Sequence, residues 1–122
     1  MSGSTSVPLY QTATVLLDAN GAGQVVLQPG QQGVWWEITT IAISTTQADP
    51  NSTNIPTVIL YRGYVGNTQI GGTFSGVMDN ANGDTILNPN EPIWVVWTGA
   101  DPNQTGRITV AGTEYYPGTR YV

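Results

Sequence analysis

The 122-residue chain is long enough to bury one core and too short for two ordinary domains, so a single domain is expected. It has no cysteine, histidine or lysine, and it sets three arginines (Arg62, Arg107, Arg120) against eight acids, for a formal charge of −5. These absences exclude Ser/His and Cys/His nucleophilic pairs, thiolate or imidazole metal sites, disulfides, Schiff-base chemistry and a P-loop. An acidic chain with three scattered arginines lacks the basic face that a phosphate backbone or anionic membrane needs, so neither is an expected partner.

Thr, Val and Ile supply 38 residues against 16 of Ala, Leu and Met, which favours a pleated surface over a helix. No apolar stretch approaches the ~20 residues of a membrane helix, and Met1-Ser-Gly-Ser-Thr-Ser carries no readable export signal, so synthesis in the cytoplasm is expected. Gly and Pro total 23 and fall between apolar runs, where they punctuate a folded domain.

The predicted elements begin with Val7 to Leu17, whose Leu9, Ala13, Val15 and Leu17 share a parity, then Gln24 to Gln28 beyond a glycine turn. A long strand follows from Val34 to Thr45. Its apolar parity changes from even (Val34, Trp36, Ile38) to odd (Ile41, Ile43), which requires a β-bulge or bend at Thr39-Thr40. Such a strand often crosses between the sheets of a sandwich. Thr57–Arg62 is apolar on both parities and reads as central. Gln69–Met78 places Ile70, Gly72, Phe74, Gly76 and Met78 on one face, with glycines at 71, 72 and 76 weakening it. Residues 79–84 read as a loop, Thr85–Leu87 as a short strand, Ile93–Thr98 as another central strand, and Gly106 to about Tyr115 as the last.

Leu27-Gln-Pro-Gly-Gln and Val34-Trp-Trp are echoed by Leu87-Asn-Pro-Asn-Glu and Ile93-Trp-Val-Val-Trp97, and Ala-Asp-Pro-Asn occurs at both 48–51 and 100–103. Two such halves suit the two Greek keys of a jelly roll, although chance recurrence of turn chemistry also explains them. The expected fold is therefore all-β: a two-sheet antiparallel sandwich, jelly-roll-like, of seven or eight strands. An N-terminal arm (1–6), the sandwich (7–115) and a C-terminal tail (116–122) make up the chain.

Asp18, Asp49, Asp79, Asp84 and Asp101 sit among Gly, Asn and Pro, where aspartate favours turns by accepting backbone N–H groups. No two are marked as a catalytic pair. Asp79-Asn-Ala-Asn-Gly-Asp84 has the look of a calcium loop but lacks the EF-hand ligand pattern. No catalytic, cofactor or metal site is therefore expected. Glu37 interrupts an apolar run and reads either as a solvated outer residue or as the partner of a neighbour's arginine.

The four tryptophans cluster as Trp35-Trp36 and Trp94…Trp97, and each cluster puts one ring on either face of its strand. The outward rings have three possible uses: sugar stacking, a partner interface, or cover from the chain's own tail. Surplus apolar side chains on strands that a free sandwich would leave half polar favour the interface. Its expected residues are Trp35, Glu37, Tyr61, Trp94 and Val96, joined by Tyr115, Tyr116 and Tyr121 of the C-terminal segment.

Gln28-Pro-Gly-Gln with Trp36-Glu-Ile-Thr, Leu60-Tyr-Arg-Gly63, Gly72-Thr-Phe-Ser-Gly76, Leu87-Asn-Pro-Asn-Glu91, Val96-Trp-Thr-Gly-Ala-Asp-Pro102 and Ile108-Thr-Val-Ala-Gly-Thr113 follow in order along most of the chain. In these the chain resembles small all-β structural proteins of tailed bacteriophages, particularly those of actinobacteria. The resemblance implies a non-enzymatic virion component, either a capsid decoration (cement) protein on the outer head or a minor tail protein. Tail proteins of this kind usually carry a fibre or anchor, which favours the head. The partners then expected are the major capsid protein and further copies of the chain, as a trimer. A carbohydrate-binding module contacting host-surface glycans is the alternative.

Overall fold

The computed structural model describes residues 5–30 and 32–117, so the expected contact Tyr121 and the ends of both terminal segments lie outside the described residues. Eight strands follow in order: β1 (Ser6–Leu16), β2 (Gly23–Leu27), β3 (Trp35–Thr45), β4 (Thr57–Arg62), β5 (Gln69–Ser75), β6 (Met78–Leu87), β7 (Ile93–Thr98) and β8 (Thr105–Tyr115). They form two four-stranded antiparallel sheets, ordered β1-β8-β3-β6 and β2-β7-β4-β5. First pairs with last, second with seventh, third with sixth and fourth with fifth. This is a long hairpin rolled on itself, the jelly-roll arrangement that the two similar halves suggest.

Those halves have a structural counterpart. The turns bearing Pro29 and Pro89 both carry the chain across the sandwich, and Trp36 of the first half pairs with Leu87 of the second. At the opposite end the two Ala-Asp-Pro-Asn loops touch, the Ala48 N–H donating to Asp101 Oδ2 at 3.0 Å.

Inward parity builds the core. Leu9, Leu17, Trp36, Ile38, Ile41, Ile43, Ile108 and Val110 from one sheet meet Val58, Leu60, Ile70, Phe74, Ile93, Val95 and Trp97 from the other. Trp97 is fully buried, and its Nε1 donates to the buried Thr45 hydroxyl at 3.0 Å, so the indole brings no unmet polar group with it. Burial of one such ring is worth about 4–6 kcal/mol of gross transfer energy, at ~25 cal/mol for each of the 150–250 Å² it removes from water.

The parity change in β3 is a bulge, with registers to both β6 and β8 shifting between Ile38 and Thr40. β3 nevertheless stays in one sheet from end to end, which corrects the expected crossover: an extra residue restores the inward face without turning the strand. Residues 79–84, expected as a loop, belong to β6, where pairing with Thr40–Ile43 outweighs their turn-like composition. Met78 does not continue the face of Ile70 and Phe74; it is 79% exposed. The strand ends at Ser75, and Met78 already belongs to β6 of the other sheet, where it pairs with Ser44. Within β5 the register is broken at Gly71 and Gly72, because Ile59 pairs with Thr73 while Leu60 pairs with Ile70. The intervening glycines, at φ of 74° and 82°, form a bulge that side chains would disfavour.

Candidate interaction surfaces

The outer face of the β2-β7-β4-β5 sheet gathers apolar side chains into two cross-strand rows. Val26 pairs with Trp94 and Trp94 with Tyr61; one step along, Val96 pairs with Ile59. All five point away from the core, because their strand neighbours Val25, Ile93, Val95, Val58 and Leu60 are the residues turned inward. Trp94, Tyr61, Val96 and Ile59 are half-buried, and Val26 is exposed. The Trp94 ring is held by Nε1 donating to the Gly63 carbonyl at 3.2 Å. That carbonyl starts the β4–β5 loop, where Tyr64 and Val65 are also exposed. At the same end Arg62 donates to the Ile86 carbonyl and pairs with Glu91 at 2.8 Å, so its charge is spent within the chain. The sheet face thus presents apolar side chains with no charged residue among the five.

Sequence reasoning named Tyr61, Trp94 and Val96 as contacts, and the fold brings these three together. It did not name Val26 or Ile59 among them. The signal for both was available, since Val25-Val26 and Val58-Ile59 each place an apolar residue on either parity.

Trp35, Glu37 and Tyr115 gather elsewhere, on the outer face of the other sheet. Trp35 pairs with Tyr115 and stacks on it, with ring centroids 4.0 Å apart and planes 12° from parallel. The Tyr115 hydroxyl donates to Glu37 Oε1 at 3.3 Å. Trp35 is thus covered by Tyr115 of the last strand, where cover by the tail from residue 116 onward was one of its expected uses. Glu37 has an intramolecular donor where a neighbour's arginine was one reading.

Tyr116 turns the other way, into an open cleft of about 340 Å³ lined by Gln11, Gln28, Gly30, Trp36 and Glu114. Glu114 accepts from Trp36 Nε1 at 2.8 Å and from the Tyr116 hydroxyl at 2.7 Å. That hydrogen bond, with lesser help from burial and the carboxylate charge, pushes the Tyr116 phenol above its ordinary range.

The aspartates act on the backbone. Asp18 accepts from the N–H groups of Asn20 and Ala22, Asp49 from Asn51, and Asp79 from Ser75 and Asn80. Asp101, 6% exposed, accepts from the Ser52 hydroxyl, the Asn54 side-chain amide at 2.8 Å and the Ala48 N–H. These bonds, Ser52 first, hold its carboxyl below the usual aspartate range against the opposing effect of burial. Among the described residues no group of three or more acids is placed to hold a metal ion.

No family model matches the chain. No curated protein matches it either. Among solved structures, the chain is similar in fold to a chain of the acidic stable capsid structure of Helicobacter pylori bacteriophage KHP30, with a TM-score of 0.62 over 99% of this chain and 100% of that one. The two are 15% identical in sequence, so the likeness is one of fold. The actinobacterial side of the resemblance has no counterpart in this neighbour.

Proposed function

We propose that this chain is a non-enzymatic structural protein of a phage virion, and specifically a decoration protein that binds the outer surface of the head and stabilises the shell. The observation that carries this reading is the uncharged apolar face of Val26, Ile59, Tyr61, Trp94 and Val96. It lies on a jelly roll similar over its whole length to a chain from a phage capsid structure. Burying such a face stabilises by roughly 25 cal/mol per Å² of apolar area. Repeated over many copies, a modest contact would tie shell subunits against outward pressure from packaged DNA. The negative charge suits an outer location, away from the genome.

The test is co-sedimentation with purified heads and, separately, with tails of the phage that encodes the chain. The wild type is expected to pellet with heads. Trp94→Ala should weaken that binding roughly thirtyfold, the effect of losing a hot-spot aromatic worth about 2 kcal/mol. Binding to tails alone would move the protein to the tail. Binding to neither, with glycan-dependent quenching of tryptophan fluorescence, would replace the structural role with glycan recognition.

A further inference from the structure

A sandwich of two four-stranded sheets has four edge strands, here β1, β6, β2 and β5. Natural sheets blunt their edges with short strands, bulges or charge, because unpaired N–H and C=O groups recruit other strands. Three edges show these devices. β2 has five residues, β5 is broken by the Gly71-Gly72 bulge, and β6 is bulged opposite Ile38–Thr40 and carries Asp79 and Asp84. β1 differs: it has 11 residues, an unbroken register to β8 from Ser6 to Leu16, and no charged side chain.

The orientation of its backbone follows from its two ends. The Thr5 carbonyl accepts from Tyr116 N at 2.8 Å, and Leu17 N donates to the Gln104 carbonyl at 2.7 Å. Odd-numbered residues therefore spend their N–H and C=O groups on β8, and even-numbered ones direct theirs to the free edge. Pro8 has an even number, so its missing N–H costs the β8 ladder nothing and interrupts the row of edge donors. From there to the end of the strand, Tyr10, Thr12, Thr14 and Leu16 present four N–H groups, and no hydrogen bond among the described residues reaches them. Their side chains share the outer face, where Tyr10 is 69% and Leu16 73% exposed.

We infer that the free edge of β1 is a self-association surface, on which the Pro8–Leu16 segment of a second copy pairs antiparallel about a two-fold axis near Thr12. The occupant is a second copy because the edge is self-complementary. Antiparallel pairing about Thr12 sets Tyr10 opposite Thr14 of the other copy and Leu16 opposite Pro8, whose carbonyl accepts the Leu16 N–H. Each of the four donors then meets an acceptor. Tyr10 comes diagonally against Leu16 of the other copy, covering the two most exposed apolar side chains of the strand. Two chains of charge −5 meet here without placing like charges opposite each other, because β1 is uncharged. An isologous contact of this kind closes at two copies. It therefore gives a dimer in place of the trimer expected from sequence, and it does not rest on the virion role.

The experiment is sedimentation equilibrium of the full chain up to millimolar concentration, with amide hydrogen exchange on the same samples. The expected result is a concentration-dependent rise to twice the 13.0 kDa chain mass. The Tyr10, Thr12, Thr14 and Leu16 amides should gain protection in step. Thr14→Pro, which removes an edge donor without touching the β8 ladder, and Thr12→Lys, which sets two cations across the axis, should each weaken the dimer roughly tenfold or more. The exchange readout needs no variant, so it decides the matter even if one misfolds. A monomer throughout, a trimer, or a dimer with these four amides unprotected would overturn the inference. Protection that arises only when phage heads are added would assign the edge to a shell segment and overturn it equally.

Discussion

Trp97 and Asp101 support the fold through polar atoms satisfied by partners distant in sequence. Trp97 fills the centre of the sandwich because Gly106 on β8 leaves room for its ring; a Cβ at 106 would lie 2.5 Å from Trp97 Cε2. Gly106→Ala should therefore destabilise the fold by about 1–3 kcal/mol through overpacking, read as a lowered denaturant midpoint with an unchanged slope. Asp101 has a different role, tying the loop after β3 to the loop after β7 through Ser52, Asn54 and Ala48. Its carboxyl releases its proton more readily in the folded state than in the unfolded chain, so the unfolded state binds more protons in acid. The stabilisation it provides is complete above the unfolded value of about 4 and is lost as the pH falls through that value towards the lower folded one. Asp101→Asn should accordingly melt at a lower temperature at neutral pH and show a shallower loss of stability in acid. An unchanged acid slope in thermal melts would remove this role.

Among the elements, the bulge in β3 is the point where sequence pattern and backbone meet. The switch from Trp36 and Ile38 to Ile41 and Ile43 announces it, and the registers to β6 and β8 place it at Thr39. It also imposes a demand that the pattern of β3 alone does not reveal: Gly112 of β8 lies so close that a Cβ there would be 2.0 Å from the Glu37 carbonyl oxygen. Gly112→Ala should be more damaging than Gly106→Ala, since the obstacle is main chain rather than a ring that can shift. Urea melts of the two variants side by side check the order. Continuous apolar runs bounded by turn residues were also readable, and β4 and β7 have the limits that the sequence suggested. β6 was not, because its Asp79-Asn-Ala-Asn-Gly-Asp84 stretch has turn chemistry and becomes a strand only by pairing with β3. Local composition carries no trace of a partner some 40 residues away.

For the molecule as a whole, the two sheets present different outer surfaces. The β2-β7-β4-β5 sheet shows the apolar rows around Trp94. The other sheet shows small and hydroxylated side chains, among them Thr12, Thr109, Ala111 and Ala42, interspersed with the exposed Tyr10, Leu16 and Met78 and with the Trp35–Tyr115 stack at one end. Sequence reasoning could tell that two rings pointed outward, but which of them would share a surface depends on sheet order. Trp94 thus gathers with Tyr61 and Val96, while Trp35 is separated from them and covered by Tyr115. The proposed role uses this division, with the apolar face against the shell and the β1 edge left for a second copy. Substitution of Trp94 should accordingly release the protein from heads without lowering its melting temperature by more than a few degrees, since the ring lies outside the core. The most direct measurement is electron cryomicroscopy of heads with and without the bound protein. The proposed role predicts added jelly-roll density on the outer shell with the Val26, Tyr61 and Trp94 face turned towards it. Heads without such density, or with that face turned to solvent, would contradict it.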